Sequence, residues 1–411
     1  NVSQISNWMK SNGIKKGEDM LKTVEDIDFK DKKVFIRVDY NVPIDEKTGE
    51  ITNDFRIKLT VPTINFILKQ MPKQVIFACH AGRPKNNEPY LKTDKISELL
   101  GKLIDMPIKK IDDWNTSNHD ANNPDNCLIM LENLRFNPNE KSELQEERDE
   151  FGKLLAKDMD VFVEDAFSNC HRDHASMTSV PKFVEEKCVG LLIKKELDMI
   201  KRTIENPKTP FVSIIGGIKA DKLSAIQNLF KTADKILLGG SLGFLFCKVA
   251  GNNIGKTKID KEGFTEDNEF LIKEFLNNPK ITLPIDAVVA ETQESTPEVV
   301  DINQIQDNQM ALDIGPKTIE RYRIIIQQAE TISWNGPMGM YEKPEFADGT
   351  KLIADAMAET NATTIVGGGD SAAALEKFGF DKHMTHVSTG GGASLKLFEG
   401  KELIALKVLE E

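Results

Sequence analysis

The chain has 411 residues, of which 40% are hydrophobic and 29% charged, with a formal net charge of −12 at neutral pH. That length exceeds one ordinary core and predicts two domains. The acidic balance argues against a nucleic-acid partner, whose phosphates need basic groups to neutralise them, and no apolar run approaches the ~20 residues of a membrane span.

The opening run "NVSQISNWMKSNGIKKGEDML" has neither the basic end nor the apolar stretch of a signal peptide. The chain does not begin with Met, which leaves a removed leader open. Short apolar runs then alternate with helical patterns. In the first half, strands are predicted at "KVFIRVDYN", "QVIFACHA", "CLIMLENL" and "VFVEDAFS", and helices at "KLTVPTINFILKQ" and "ELQEERDEFGKLLAK". "GLLIKKELDMIKRTIENPKTP" reads as a helix ending at Pro207, a rigid connector. In the second half, strands are predicted at "FVSIIGG", "KILLGG", "ITLPIDAVVA", "TISWNG", "ATTIVGG" and "THVSTGG", with helices at "DKLSAIQNLFKT" and "TIERYRIIIQQAE". Strand–helix alternation with near-continuous apolar strands predicts a parallel sheet, twice over. The expected fold is α/β: two doubly wound, Rossmann-like domains joined by a helical hinge. The boundaries are 1–190, a connecting helix over 191–206, and 207–397, with the tail from about 398 to 411 packing back on the first domain. Five cysteines, an odd number without C-x-x-C spacing, argue against a disulfide framework and a zinc cluster and point to a reducing cytoplasm.

Ligands of open parallel sheets gather beyond the carboxyl ends of the strands. In the first half those ends carry Asp39, Asn41, His80, Arg83, Asn133, Arg135, Asp165 and Arg172; in the second they carry Gly216-Gly217, Gly239-Gly240, Asn335-Gly336, Gly367 to Gly369 and Gly390 to Gly392. Nine of the 53 basic residues are arginine, and five of those (Arg37, Arg56, Arg83, Arg135, Arg172) lie beside strand-like runs of the first half. Arginine offers a rigid fork for carboxylate and phosphate, so this placement suggests a polyanionic ligand; loop tethering is the alternative for any single one. "IVGGGDSAAA" and "VSTGGGASLK" each set glycines before a helix, an arrangement that aims backbone N–H groups and a helix dipole at an anion. Ser371 is expected to cap the first of these helices and Asp370 to hold a phosphate-bound Mg²⁺. Tight helix–sheet packing is the competing explanation. "AGNNIGKT" loosely matches a P-loop, but a helical run precedes it and none follows, which argues against one.

The runs "RVDYNVP", "DFRI", "CHAGRP", "MLENLRF", "EDAFSNCHRDHAS", "GGIKADK", "LDIGPKT", "WNGPMG", "GGGDSAAA" and "STGGGASL" closely resemble the motifs of the phosphoglycerate kinase family, in the family's order, from about residue 30 to 400. The resemblance implies a monomeric, two-lobed hinge enzyme that interconverts ATP plus 3-phosphoglycerate with ADP plus 1,3-bisphosphoglycerate, using Mg²⁺. It implies that Asp39 and Asn41 bind the glycerate, and that Arg56, His80, Arg83, Arg135 and Arg172 form a basic patch for its phosphate and carboxylate. On the nucleotide side it implies Gly217, Lys219, Lys222 and Gly240 around the phosphates, and Asn335, Pro337 and Glu342 along the nucleoside. Gly368, Gly369, Asp370 and Ser371 would take the phosphate–metal end, with Gly390 and Gly391 at the transferring phosphoryl. Arg56, Lys219, Gly390 and Gly391 would carry catalysis. The chain departs from the family at "GGIKADK", where the two lysines are three apart instead of four. It also departs at Cys79 and Ala81 of "CHAGRP", at Lys396, and in the tail "KELIALKVLEE". The lysine spacing leaves the roles of Lys219 and Lys222 open.

The acceptor carboxylate and the β-phosphate of ADP are already anionic, so the reaction needs no general base. His119, His171, His174, His383 and His386 are accordingly assigned structural or solvent roles. Positioning and charge stabilisation would do the work, with domain closure excluding water. The expected partners are small molecules, with no nucleic acid and no membrane. A different acyl-phosphate or sugar kinase and a silent, nucleotide-binding paralogue are the alternatives.

Overall fold

The computed structural model describes residues 21–116, 127–218, 222–260 and 265–410. The chain divides into two compact units: one contains the chain up to Leu197 and the tail from Glu402, the other Asp198–Lys401. The helix Leu191–Glu205 crosses that division in sequence.

In the first unit, Lys33–Val38 (β1), Gln74–Ala78 (β2), Lys109–Lys110 (β3), Leu128–Met130 (β4), Val161–Asp165 (β5) and Glu186–Val189 (β6) form one sheet in the order β3-β4-β2-β1-β5-β6. Every pairing is parallel. β2, β4 and β5 are buried at every residue, as expected of strands covered on both faces. Val34, Ile36, Val38, Val75, Phe77, Val161 and Val163 meet helix residues such as Ile57, Ile64 and Leu100 in one core. Because β1 lies between β2 and β5, the strand order changes direction there, and the crevice beyond its carboxyl end is a natural ligand site. The helix Ile404–Glu410 buries Ala405, Leu406 and Leu409, and the Ala405 N–H donates to the Cys170 carbonyl at 3.1 Å.

In the second unit the strands are Phe211–Ile215 (β7), Lys235–Leu238 (β8), Ile281–Thr282 (β9), Asp286–Ala290 (β10), Glu298–Asp301 (β11), Met310–Ile314 (β12), Thr331–Asn335 (β13), Thr363–Gly367 (β14) and His386–Val387 (β15). Six of them make a second parallel sheet, β15-β14-β13-β7-β8-β9, whose order changes direction between β7 and β13. The other three make a small sheet, β11-β10-β12, and its pairings are antiparallel. The single strand expected at "ITLPIDAVVA" is therefore two, β9 in the large sheet and β10 in the small one. Pro284 stands between them and has no N–H to give a ladder. β11 and β12 escaped the sequence reading. The run "AGNNIGKT" follows the helix Gly240–Val249, and Gly255 bridges Met310 in antiparallel fashion. The Ala311 N–H also donates to Thr257 Oγ1 at 2.8 Å. That run ties down β12 and is not a P-loop.

Asp286, fully buried at the start of β10, caps a helix far along the chain. Its carboxylate accepts from the N–H groups of Lys317 (2.9 Å) and Thr318 (2.8 Å) and from the Thr318 hydroxyl (2.6 Å), at the start of Pro316–Gln327. This satisfies donors that an α-helix cannot satisfy itself and sets negative charge at the positive end of the dipole. Asp286→Ala is expected to destabilise the second unit by about 2–3 kcal/mol, the sum of a lost cap and buried N–H groups left unpaired. Urea unfolding followed by tryptophan fluorescence in a Trp8→Phe, Trp114→Phe background, where Trp334 alone reports, measures this; an unchanged midpoint contradicts it.

Candidate active site

At the carboxyl edge of the first sheet, Asp39 follows β1 and takes donors on both oxygens. Arg56 Nη1 donates to Oδ2 at 2.7 Å, the Ser168 hydroxyl donates to the same oxygen, and the Asn41 N–H reaches Oδ1 at 3.2 Å. Asn41 Oδ1 accepts the Gly82 N–H at 2.8 Å, and Arg135 Nη1 donates to the Gly82 carbonyl at 2.6 Å. The loops after β1, β2 and β4 are thereby locked together. Arg83 is exposed; Arg56 and Arg172 are half-buried.

Arg37, inside β1, is wholly buried. Its Nε donates to Ser176 Oγ at 2.8 Å, Nη1 donates to the Val38 carbonyl, and Nη2 lies 3.1 Å from His80 Nδ1. A guanidinium has only donors, so His80 Nδ1 accepts, and its ring proton sits on Nε2. Burial, reinforced by Arg37, Arg135, His174 and Arg172, holds the His80 pKa well below its ordinary range. Ser176 passes the interaction on, its hydroxyl donating to Glu140 at 2.7 Å and its N–H at 3.0 Å. Burial drives His174 down to about 3, again helped by Arg37, Arg135 and Arg172. Burial also lowers Arg135 to about 10, with Arg172 and Arg37 next in effect, and lowers Arg172 as well. Each of these cations is thus less comfortable because of the others. The Arg135 Nε is buried with no hydrogen-bond partner. A bound anion relieves both conditions.

The carboxyl edge of the second sheet encloses a cavity of about 480 Å³. Gly217, Lys222, Gly240, Asn335, Pro337, Glu342, Gly368, Gly369, Asp370, Ser371 and Gly391 all line it. Gly390 stands just before the helix Gly391–Phe398 that closes one side. Lys219 lies outside the described residues, as does His119. The Lys222 ammonium is buried, donating to the carbonyls of Gly216 (2.6 Å) and Asn335 (3.3 Å), so it joins the ends of β7 and β13. Asn335 Nδ2, by contrast, is a buried donor with no hydrogen-bond partner.

The helices Gly369–Phe378 and Gly391–Phe398 both open onto this cavity, and their first turns touch: a Cβ on Gly391 would lie 2.8 Å from Gly368 Cα. At Gly336, with φ +92°, a Cβ would meet the Gly216 carbonyl at 2.3 Å. Two glycine runs therefore serve both explanations weighed from the sequence: close backbone approach, and N–H groups aimed at one spot. Ser371 corrects an expectation. It does not cap its helix; its buried Oγ accepts the Gly336 N–H at 2.7 Å. The helix N-cap is Gly368, which has no side chain. That bond spans two separate strand ends, β13 and β14, so no local spacing reveals it.

Sequence reasoning grouped Arg37 with the anion-binding arginines but gave it no role in the site, and it left Ser168, Ser176 and Glu140 out of the first site and Phe244, Leu312 and Met340 out of the second. Arg37 had a signal, a charge inside an apolar strand. The apolar wall had none, because its members look like ordinary core.

The phosphoglycerate kinase family model matches residues 24–401. A phosphoglycerate kinase of Dictyoglomus turgidum is 42% identical over 400 residues, covering 94% of this chain and 98% of that one. One from Clostridium tetani is 41% identical over 400 residues, covering 95% and 98%. The solved structure of phosphoglycerate kinase from Coxiella burnetii superposes with a TM-score of 0.82 at 34% identity, covering 95% of this chain and 99% of that one. That of Pyrococcus horikoshii OT3 gives 0.82 at 32%, covering 95% and 98%.

Gly391→Ala forces the two helix starts apart. It is expected to destabilise the second unit by about 1–3 kcal/mol, as overpacking does. Urea midpoints read this directly, and a neutral substitution contradicts the contact.

Proposed function

We propose a division of labour for a chain that belongs to the phosphoglycerate kinase family and catalyses reversible phosphoryl transfer between 1,3-bisphosphoglycerate and ADP, giving 3-phosphoglycerate and ATP. Asp39, Asn41, Arg56, His80, Arg83, Arg135 and Arg172 hold the three-carbon acid. The cavity of the second unit holds the nucleotide. The observation that carries this reading is the contrast between the two carboxyl edges. One crowds cations whose charge has few partners; the other presents glycine-opened helix starts and a spare Asn335 donor to a cavity of nucleotide dimensions.

Each residue's part follows from its surroundings. Asp39 orients the Arg56 fork through their 2.7 Å ion pair, leaving other guanidinium N–H groups for an anion. His80, neutral and tautomerically fixed, offers Nε2–H as a donor and takes no proton. In the second unit, Phe244, Leu312 and Met340 give the base an apolar wall, Glu342 and Pro337 flank the ribose, and Asn335 Nδ2 meets a phosphate oxygen. The N–H groups at Gly368, Gly369 and Gly391 face the phosphate chain, while the Gly390 N–H is given to Ser388 Oγ at 3.2 Å. The bonds of Lys222 to two carbonyls assign it mainly to shaping the cavity, and Lys219 is the lysine proposed for the transferring group.

Mg²⁺ is the metal this reading calls for, and Asp370 fits it. Asp370 is an exposed carboxylate in the first turn of its helix, facing the cavity. Among the described residues no group of three or more His, Cys, Asp or Glu could hold a metal. One carboxylate with phosphate oxygens and water suits Mg²⁺ well. When bound, the ion neutralises phosphate charge.

The acceptor is anionic before reaction, so catalysis rests on alignment and charge stabilisation by Arg56, Lys219 and the Gly391 amide, with Gly390 expected from the sequence but its N–H held by Ser388 Oγ. No described helix is long and apolar enough to cross a membrane. The five cysteines are free and four of them buried, which supports a reducing cytoplasm as the working compartment of a monomer.

A coupled assay of ADP release tests the reaction: it must depend on 3-phosphoglycerate as well as ATP. Arg56→Ala is expected to lower kcat by about 10²–10³, the typical effect of one lost transition-state donor, with a much smaller change in KM. Near-normal turnover removes Arg56 from the mechanism.

A further inference from the structure

The first unit contains a polar cluster that none of the roles above uses, just behind Arg135. Glu132 is buried at the end of β4, and its carboxylate has four neighbours. Oε1 accepts the Asn133 N–H at 2.7 Å and the Thr93 N–H at 3.2 Å, with the Thr93 hydroxyl at 3.4 Å; Oε2 pairs with Lys110 Nζ at 2.7 Å. Asn133 is fully buried, and its amide is completely used. Oδ1 accepts the N–H groups of Ala81 (3.2 Å) and Arg135 (3.1 Å), and Nδ2 donates to the carbonyls of Ala81 (2.8 Å) and Leu91 (2.9 Å). Two of these partners belong to the acid-holding edge. Ala81 stands between His80 and the turn carrying Arg83, and Arg135 itself returns a bond to the Gly82 carbonyl.

We propose that Glu132 and Asn133 are positioning residues for the phosphoryl-transfer reaction: together they fix the Arg135 main chain and the Ala81–Arg83 turn, and so the place from which the Arg135 guanidinium reaches, at the spacing 3-phosphoglycerate requires. The physical reason is the rigidity that two elements need to hold one small ligand. Beyond their strand ends the ladder between the loops after β2 and β4 thins to isolated backbone bonds, such as the Leu134 N–H to the Cys79 carbonyl at 3.1 Å. An amide with two donors and two acceptors can staple both loops, as no aliphatic side chain can. Buried polar networks of this kind hold one geometry when every member is satisfied. Lys110 keeps the Glu132 charge paired, so the carboxylate stays an acceptor for two backbone N–H groups at once. The inference rests on the reading that the arginine edge takes 3-phosphoglycerate.

The test is calorimetry on the intact enzyme with 3-phosphoglycerate and, separately, with ADP, for Glu132→Ala, Glu132→Gln and Asn133→Ala. Both alanine variants are expected to weaken 3-phosphoglycerate about 10- to 100-fold, the scale of a binding group misplaced by about 1 Å, with ADP affinity unchanged. Glu132→Gln keeps an acceptor of the same length and is expected to recover most of the loss. If Asn133→Ala does not fold, the Gln and Ala variants at 132 decide the matter alone. Unchanged 3-phosphoglycerate affinity in the folded alanine variants overturns the proposal, and so does a parallel loss of ADP affinity, which signals a merely structural role. Arg135→Ala separates this from the underlying reading. If it leaves 3-phosphoglycerate binding intact, the assignment of the arginine edge fails. If it abolishes binding while the 132 and 133 variants do not, only the positioning role fails.

Discussion

A strand covered on both faces can carry charge cheaply only where its ladder ends. Inside the sheet every side chain meets apolar neighbours, and an unpaired ion there costs several kcal/mol. β2 and β4 in one sheet, and β7 in the other, are buried throughout without an ionisable side chain, and polar residues and glycines collect beyond their carboxyl ends. Glu164 and Asp165 close β5 itself, and burial pushes their carboxyl groups up to about 8 and about 7. The position of each half-site follows from that constraint before any question of ligand arises.

Arg37 is the instructive exception. It sits within β1, fully buried, and is tolerated because its donors reach Ser176, the Val38 carbonyl and His80, with Glu140 supplying negative charge one bond further on. The same contacts keep His80 neutral. An interior cation thus reinforces what burial already does to His80, and adds to the field that depresses Arg135 and Arg172. The second unit solves the opposite problem. It gathers amide dipoles in place of guanidinium groups, and needs bare glycine for the helix starts to approach one another.

How much of this was legible depended on the range of the interaction. Local signals carried well. The apolar runs gave most of the parallel strands, though not the edge strands β3 and β6; the helical pattern expected over 191–206 gave the helix Leu191–Glu205; and the residues after each run gave the groups that line the two edges. The antiparallel sheet was not legible, since β11 and β12 are defined by their pairing with β10 and not by a continuous apolar run of their own. Ser371 was misassigned for a related reason: from sequence it sits where a cap would be, while its true partner, the Gly336 N–H, belongs to another strand end.

The order of residues by itself determined the fold class, the run of strand ends bearing arginine or glycine, and the family, because those depend on periodicity and on short contiguous motifs. Tertiary structure alone decided which tautomer His80 adopts, what Lys222 bonds to, why two glycine turns must touch, and how Glu132 and Asn133 staple the loops around Arg135. Each of those rests on a hydrogen bond or contact whose partners come together only when separate strands align in a sheet.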